Sequence, residues 1–460
     1  MVGMVVIAVA LAALMYLAYR GVSLLLLAPA LATLAAAAVG EGPMLGTYTQ
    51  VFMQATGEFV IRYFPLFLLG AVFGKLMEAS GSAQVLAQSI VARLGSQRAI
   101  LAVILSCALM TYGGVSLFVV AFAVFPIAAA LFRKARLPKR LIPATIALGA
   151  FTFTMTALPG TPAIQNAIPM PFFGTTPFAA PGLGVIAGAI MLGLGWQWLE
   201  RRARALGPGY GPHPDADEHA PPTDDPPSLR VASIPLVLVI ALNLGFTFLV
   251  IPTLDTAYLA LPAYGRTDVS EVRGVWSIIA ALTLSCLVLV GVNWQRLRTG
   301  LAQTLDDGAA ASLKPIFNTA SLVGFGAVIA SLSAFVLIRD WVVTLGGDNP
   351  LISLALATSL LAGMTGSASG GMSIALSTLG STYLAMATAA GISPELLHRV
   401  TAVATGGLDA LPHNGAVITL LTLCGLTHRE AYQDIAVVAV VIPVIALVAL
   451  ISLGTLFGSF

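Results

Sequence analysis

Two titratable side chains lie four positions apart in an otherwise apolar segment of the sequence. Asp409 is the one aspartate deep in such a segment, and His413 is the only histidine at comparable depth. A carboxylate at membrane depth is costly and is usually functional. Burial favours its neutral form, so Asp409 could take up and release a proton, with His413 beside it. The structural alternatives are that Asp409 caps a helix break and that His413 is a satisfied polar neighbour.

Neutral polar residues and glycines supply the other candidate groups, at four interruptions of apolar sequence. The predicted substrate-binding residues are Thr111, Tyr112, Gly113, Gly114 and Ser116, then Pro159, Gly160, Thr161, Gln165 and Asn166, then Thr365, Gly366, Ser367, Ser369 and Gly370, and finally His413, Asn414 and Gly415. Broken helices offer free N–H groups to an anion, and hydroxyls and amides would bind a hydroxylated ligand. With no Lys or Arg deep in either half, these groups and protonated His413 would hold a carboxylate. Alternatively, the hydroxyls bond their own backbone or a packed neighbour.

The composition requires that these residues be positioned by membrane helices. The 460 residues are 58% hydrophobic and 9% charged, with a mean hydropathy of +0.94, whereas globular domains are roughly 25% charged. The net charge of +2 gives no basic face for nucleic acid. Cys107, Cys286 and Cys424 lie in apolar stretches, which indicates free core thiols. The fold class is therefore an all-α polytopic membrane protein whose surroundings are the lipid bilayer.

Apolar runs of about 20 residues mark the predicted spans. There are ten of them, at 2–19, 21–39, 56–79, 141–170, 181–198, 231–253, 274–293, 315–338, 394–424 and 431–458. The first is not expected to be a cleaved signal peptide, because no basic residue precedes it. The stretches 99–132 and 351–388 are too long for one helix and are interrupted by Gly and Ser, which predicts two re-entrant hairpins. Prolines and glycines in 141–170 and 394–424 predict two broken helices.

The basic residues predict the orientation. With the N-terminus outside and no net crossing by the hairpins, Arg62, Arg266, Arg273, Arg339 and Arg399 face outward, and the other 17 of the 22 Lys and Arg residues face the cytoplasm. Both termini are then outside, and a polar linker at 199–229 is cytoplasmic. It divides an N-terminal half, 1–198, from a C-terminal half, 230–460. Glu78 and Asp434 are assigned to solvated helix ends on the cytoplasmic side.

The two halves share short matches in the same order. Gly70-Ala71-Val72 matches Gly326-Ala327-Val328, Met110-Thr111 matches Met364-Thr365, and Ala157-Leu158-Pro159 matches Ala410-Leu411-Pro412. They predict repeats at about 56–198 and 315–458, inverted because the two hairpins open to opposite sides. Inverted repeats with interrupted helices are typical of secondary transporters, whose substrate site lies near the midplane. The motifs HExxH, GxxxxGK[ST] and GxSxG do not occur, so no enzyme, metal site or cofactor is predicted.

Four longer motifs resemble the gluconate permease family. They are 111–119 (TYGGVSLFV), 137–143 (LPKRLIP), 149–162 (GAFTFTMTALPGTP) and 407–417 (GLDALPHNGAV). The resemblance covers roughly 56–198 and 315–458. It implies a proton-coupled symporter for gluconate or related organic acids in an inner (plasma) membrane, built as a homodimer that works by an elevator motion. It also implies that the hairpin tips 111–116 and 365–371 and the breaks 157–166 and 409–415 hold the substrate.

The first break departs from the family pattern, because residues 158–166 lack the His- and Pro-rich run of gluconate-transporting members. A smaller hydroxy acid such as 3-hydroxybutyrate or lactate is therefore held open beside gluconate. The sequence predicts symport of such an acid with H⁺ through Asp409. One alternative is a sodium-coupled carboxylate carrier of the same fold, in which Asp409 could be a Na⁺ ligand. The other, of a different class, is a passive anion channel.

Overall fold

The structure is a computed structural model that describes residues 2–211, 226–347 and 349–460, and throughout these ranges the regular elements are helices. The first half contains α1 (Val2–Tyr19), α2 (Leu24–Val39), α3 (Met44–Ala79), α4 (Ser82–Leu94), α5 (Ala99–Tyr112), α6 (Leu117–Lys134), α7 (Ile142–Ala150) and α8 (Pro181–Leu206). The second half contains α9 (Leu229–Thr253), α10 (Val269–Val292), α11 (Leu301–Ser331), α12 (Ser333–Thr344), α13 (Pro350–Thr365), α14 (Ala368–Ala389), α15 (Pro394–Thr405), α16 (Gly415–Leu423) and α17 (His428–Phe457). The predicted all-α fold is confirmed.

Within the described ranges, seven helices are long and apolar enough to span a membrane: α3, α6, α8, α9, α10, α11 and α17. The count becomes eight if α4 and α5, which meet at a bend of 103°, form one broken span. Ten spans were predicted. Four of the ten are missing from the seven, because α1 and α2 are apolar but shorter and because the predicted spans 141–170 and 394–424 are each divided into short helices. The seventh long helix, α6, was predicted as one arm of the first hairpin.

The first predicted hairpin consists of α5 and α6, which pack together and are joined by residues 113–116. Gly114 turns the chain in the left-handed region, with a φ of +95°, where a side chain would be strained. Ser116 then caps α6 by accepting a hydrogen bond from the Val119 N–H. Glycine and serine thus reverse the chain between two apolar helices.

The second hairpin, α13 and α14, has the same construction. Gly366 adopts a φ of +60°, and Ser367 Oγ accepts a hydrogen bond from the Gly370 N–H at 3.1 Å. Gly371 lies against the backbone of Leu361 and Ala362, so the two helices approach each other as closely as glycine permits. In both tips, therefore, a glycine makes the left-handed turn and a serine caps the helix that follows.

Each hairpin tip touches the helix break of its own half. A Cβ on Gly114 would lie 2.9 Å from Pro162 in the first break, and one on Gly366 would lie 2.8 Å from His413 in the second. The long helices α3 and α11 pack against each other, and α11 also packs against α14 of the second hairpin. Both tips and the first break lie beside α3 and α11.

The predicted linker does not begin where composition placed it. The linker was predicted to begin at residue 199, but α8 continues to Leu206. The last turns of the helix carry polar side chains, so the helix extends beyond its apolar part. Arg202, in this last part, forms an ion pair with Asp434 of α17. Residues 212–225 of the predicted linker, with His213 and His219, lie outside the described residues.

Candidate functional site

A cavity of about 380 Å³ lies where both hairpin tips approach α3 and α11. The first hairpin contributes residues from Thr111 to Phe122, and the first break contributes 162–165. Ser369, in the first turn of α14, extends the second hairpin to the same cavity. Most of the wall is apolar, and its polar lining consists of Lys75, Glu78, Thr111, Ser116, Gln165, Ser312 and Ser369.

Two polar atoms in this wall have no hydrogen-bond partner. Thr111 Oγ1 and the side-chain oxygen Oε1 of Gln165 are buried, and the two residues are 3% and 9% exposed. Buried polar groups in folded proteins are nearly always partnered, and leaving one unpaired costs about 1–3 kcal/mol. Among the described residues, the cavity wall therefore contains one residue from the first hairpin tip and one from the first break whose side-chain oxygens are buried without a partner.

An ion pair lines the more exposed part of the cavity. Lys75 Nζ lies 2.9 Å from Glu78 Oε2 on α3, and the two side chains are 35% and 44% exposed. A pair at this exposure contributes little to stability. Glu78 was predicted at a solvated helix end, and in the structure its pair with Lys75 borders the cavity.

The chain is similar in sequence to one known transporter and in fold to another. The chain is 44% identical over 451 residues to the "Uncharacterized transporter YxjC" of Bacillus subtilis (strain 168), covering 95% of each protein. The chain belongs to the YxjC family of transporters. It also shares the fold of the YdaH transporter of Alcanivorax borkumensis, whose crystal structure matches with a TM-score of 0.50 and 17% identity over 89% of each chain. No protein-family model matches the chain.

In this YxjC-family transporter, a cation and a histidine that were not predicted to be buried lie inside the protein. Arg399 and His398 on α15 are both completely buried, although Arg399 was assigned to the outer surface and His413 was taken as the only deep histidine. The helix begins at Pro394 and enters the protein at once, so that the fifth and sixth residues are already inside. A His-Arg pair between Leu397 and Val400 in an apolar helix is the sequence pattern that could have revealed them.

The predicted residues of the first break divide into two groups. Gln165 faces the cavity, whereas Asn166 donates hydrogen bonds from Nδ2 to the carbonyls of Thr161 and Pro177 at 3.0 and 2.9 Å. Thr161 is fully buried and its Oγ1 accepts a hydrogen bond from the Ala163 N–H. These contacts hold the break in one shape, and Gln165 is the amide of this break that lines the cavity.

Two further carbonyls of this break are hydrogen-bonded from outside it. Tyr112 Oη, at the first hairpin tip, donates to the Pro159 carbonyl at 2.7 Å. Asn243 Nδ2, on α9, donates to the Gly160 carbonyl at 3.0 Å. Gly113 lies against Leu236 of the same helix. Tyr112, Gly113, Pro159 and Gly160 therefore join the tip, the break and α9 and do not line the cavity.

The second break is held to the second hairpin tip. Asn414 Nδ2 donates to the Gly366 carbonyl at 3.1 Å, and Asn414 Oδ1 caps α16 by accepting from Ala416 and Val417. His413 Nε2 lies 3.0 Å from the Gly363 carbonyl. Of the tip residues predicted in this half, Ser369 lines the cavity, whereas Thr365, Gly366, Ser367, Gly370 and Gly415 are placed in the tip and in the first turns of α14 and α16.

Asp409 lies in a single 3₁₀ turn, Leu408–Ala410, between α15 and α16. Tyr432 of α17 packs beside it and donates from Oη to the Ala410 carbonyl at 3.1 Å. In the described part of the chain no basic side chain forms an ion pair with Asp409. The cavity wall does not include Asp409.

Asp434, the other acidic residue of this region, has a different role from the predicted one. It is fully buried, where sequence analysis expected a solvated helix end, and its Oδ1 accepts hydrogen bonds from Arg202 Nε at 3.0 Å and Trp198 Nε1 at 3.2 Å. The two donors lie on α8, so Asp434 ties α8 to α17. Asp409 is half-buried and, among the described residues, is not part of such a pair.

We expect Gln165→Leu to raise the KM for transport about tenfold or more while leaving the amount of folded protein unchanged. The substitution removes a free amide from the cavity, and one hydrogen bond to a charged ligand contributes about 1.5–3 kcal/mol. Uptake kinetics in proteoliposomes measure the effect. Gln84→Leu, a half-buried glutamine on α4 away from the cavity wall, is the matched control. An unchanged KM in Gln165→Leu would remove Gln165 from the binding site.

Proposed function

We propose that this transporter is a proton-coupled symporter that imports a small hydroxylated monocarboxylate, either gluconate or a smaller acid such as 3-hydroxybutyrate or lactate. The observation that supports it best is the cavity shared by the two hairpin tips, with Thr111 Oγ1 and Gln165 Oε1 unpartnered in its wall. A mostly apolar wall with a few hydroxyl and amide side chains suits a ligand with few polar groups, and 380 Å³ is within the usual range for small molecules, about 300–1,000 Å³.

The small number of polar groups favours the smaller acids. Seven polar residues line the cavity, and Lys75 and Glu78 among them are already paired. A polyhydroxylated acid such as gluconate would need a partner for each hydroxyl it brings out of water, because an unpaired buried hydroxyl is costly. We therefore place 3-hydroxybutyrate and lactate before gluconate as substrates, while the resemblance to gluconate permeases supports the broader class.

The coupling ion in this proposal is H⁺, and Asp409 is the group that binds it. Asp409 lies in the break of α15–α16, in the same half as the second hairpin, and has no ion-pair partner in the described residues. A carboxylate without a counter-ion at membrane depth favours its protonated form. In this proposal Asp409 takes up a proton from water on the outer side before the site closes, and releases it to water on the inner side after the site opens there. His413, four residues later, lies against the second tip and is the neighbouring candidate for this relay.

The overall cycle follows from the same proposal. Tips and breaks would move together as a transport unit against a fixed scaffold in each subunit of a homodimer, which is the elevator motion implied by the resemblance. The protein would lie in the inner (plasma) membrane. Both termini would be on the outer side of this membrane, and the segment after α8 would be in the cytoplasm. The excess of basic residues in the segments after α6 and in α8 supports this orientation.

Uptake by proteoliposomes tests the proposal. Purified protein is reconstituted, and accumulation of labelled 3-hydroxybutyrate, lactate and gluconate is followed under an imposed pH gradient and then under a sodium gradient. We expect a pH gradient alone to drive saturable accumulation of at least one of these acids. Accumulation under a sodium gradient alone would replace H⁺ by Na⁺ as the coupling ion. Equilibration without accumulation under either gradient would contradict symport and indicate a passive channel.

A further inference from the structure

Arg399 is a fully buried cation whose N–H groups are all directed at the protein. Nε donates to the Ala179 carbonyl at 3.1 Å, and one terminal nitrogen donates to the Thr156 carbonyl and to Asn166 Oδ1 at 3.2 and 3.1 Å. The other terminal nitrogen donates to the carbonyls of Ala179 and Pro177 at 2.7 and 3.4 Å. The guanidinium therefore has no donor left for a ligand.

The positive charge of Arg399 is not neutralised by an acid. Every acceptor around the guanidinium is a neutral carbonyl or amide oxygen, and none of the ion pairs among the described residues involves it. Glu395, one turn earlier on α15, is exposed to solvent. A buried charge is usually paired, because removing it from water is expensive. A charge retained without a partner keeps its field, which extends further in a medium of low dielectric constant.

The backbone brings this charge directly behind the cavity wall. Thr156 and Asn166 accept hydrogen bonds from Arg399, and their chain neighbours Met155 and Gln165 line the cavity. Asn166 Oδ1 also lies 3.2 Å from His398 Nε2, so the amide is fixed by two side chains of α15. Adjacent residues of the first break thus face the guanidinium on one side and the cavity on the other.

We propose that Arg399 makes the cavity selective for anions, through its field and without contact with the ligand. It is a positioning residue in two respects: it holds the first break through Thr156 and Asn166, and it adds an unpaired positive charge to a space otherwise lined by neutral groups and the Lys75–Glu78 pair. This inference adds a basis for substrate selection to the proposed function. It rests on the proposed function in one respect, that the substrate is negatively charged.

The test measures the electrostatic potential of the cavity with no substrate present. Ala163→Cys places a thiol at a half-buried position of the cavity wall, in a background in which the three native cysteines are replaced by alanine. The rates of reaction with a sulfonate-bearing and with a quaternary-ammonium methanethiosulfonate of similar size are then compared. We expect Arg399→Gln to lower the ratio of the anionic to the cationic rate about tenfold, and Arg399→Lys to change it less than threefold.

A second variant tests the charge without removing the guanidinium. Asn166→Asp places a carboxylate where Asn166 Oδ1 now accepts from Arg399, and we expect it to lower the same ratio by a similar factor. Ser270→Cys, at an exposed position at the start of α10, provides the control thiol, where the ratio should stay constant in all variants. A ratio at the Ala163→Cys thiol that is unchanged in both Arg399→Gln and Asn166→Asp would overturn the inference.

The outcome is separable from that of the proposed function. If the wild type accumulates none of the three acids but the rate ratio falls as expected, the symport proposal fails and the anion-selective cavity stands. If the acids are accumulated and the ratio does not change, Arg399 is a structural residue of the first break and the transport proposal stands. Thermal midpoints of the variants in detergent identify any that do not fold, and the ratio is then taken from the remaining charge variant.

Discussion

Asp409→Asn is expected to abolish accumulation of substrate under a pH gradient while preserving exchange of labelled for unlabelled substrate across the membrane. Asparagine has the size of protonated aspartate but cannot release a proton, so it fixes the carrier in the form that resembles the loaded state. Net uptake requires a return of the unprotonated carrier, and exchange does not. Accumulation should fall more than tenfold, and both quantities are measured in the same proteoliposomes.

The control for this prediction is Asp306→Asn on α11, which neutralises an exposed aspartate outside the cavity wall. It should accumulate substrate as the wild type does. A third variant, Asp409→Glu, retains a titratable group in the 3₁₀ turn and should restore part of the accumulation. Normal accumulation by Asp409→Asn would show that another group carries the proton, and Asp409 would then be a structural residue of the second break.

The sequence was sufficient to predict where the chain turns at the two hairpin tips and where the two helices break, because the causes are local. That the hairpins are re-entrant stays a prediction. Gly114 and Gly366 are required where the chain turns in the left-handed region, and the serines at 116 and 367 are required where a new helix begins. Such requirements depend on a few adjacent residues and on the exclusion of bare backbone from lipid. Short motifs therefore located the tips, although the inverted relation of the two repeats remains a prediction.

The hydrogen-bond partners of Arg399 could not be predicted in the same way, since they are distant in sequence. The carbonyls of Thr156, Pro177 and Ala179 lie more than 200 positions before Arg399 in the sequence. The sequence of α15 does not indicate that these carbonyls are the partners of Arg399. The rule that places basic residues at membrane surfaces assigned it outward, because that rule treats a charge as unsatisfied unless it reaches water. Broken segments provide free carbonyls, and these satisfy a guanidinium at depth.

The candidate site shows the same division between local and distant causes. Thr111, Gln165 and Ser369 were predicted from the interruptions in which they occur, and they line one cavity. Whether a neighbour such as Asn166 faces the cavity or the scaffold depends on His398 and Arg399, which come from the other half. Composition identifies which residues can bind a ligand, but tertiary contacts determine which of them are free to do so.

Gly371→Ala is expected to destabilise the second hairpin and to abolish transport. A Cβ at this position would overlap backbone atoms of Leu361 and Ala362, and backbone cannot move aside as a flexible side chain can. Overpacking of this kind costs about 1–3 kcal/mol even where side chains can adjust. The separation of α13 and α14 would also displace Ser369 from the cavity. The thermal midpoint in detergent and uptake in proteoliposomes measure the two effects.

Gly193→Ala on α8 is the matched control, because a Cβ there would meet no atom within 4 Å. Alanine is favoured over glycine in a helix by about 1 kcal/mol, so the control should be as stable as the wild type or slightly more stable. If Gly371→Ala and Gly193→Ala shift the midpoint alike, the close approach of α13 and α14 is not what holds the tip. If Gly371→Ala lowers the midpoint but transports normally, the second tip does not need its present position to form the binding site.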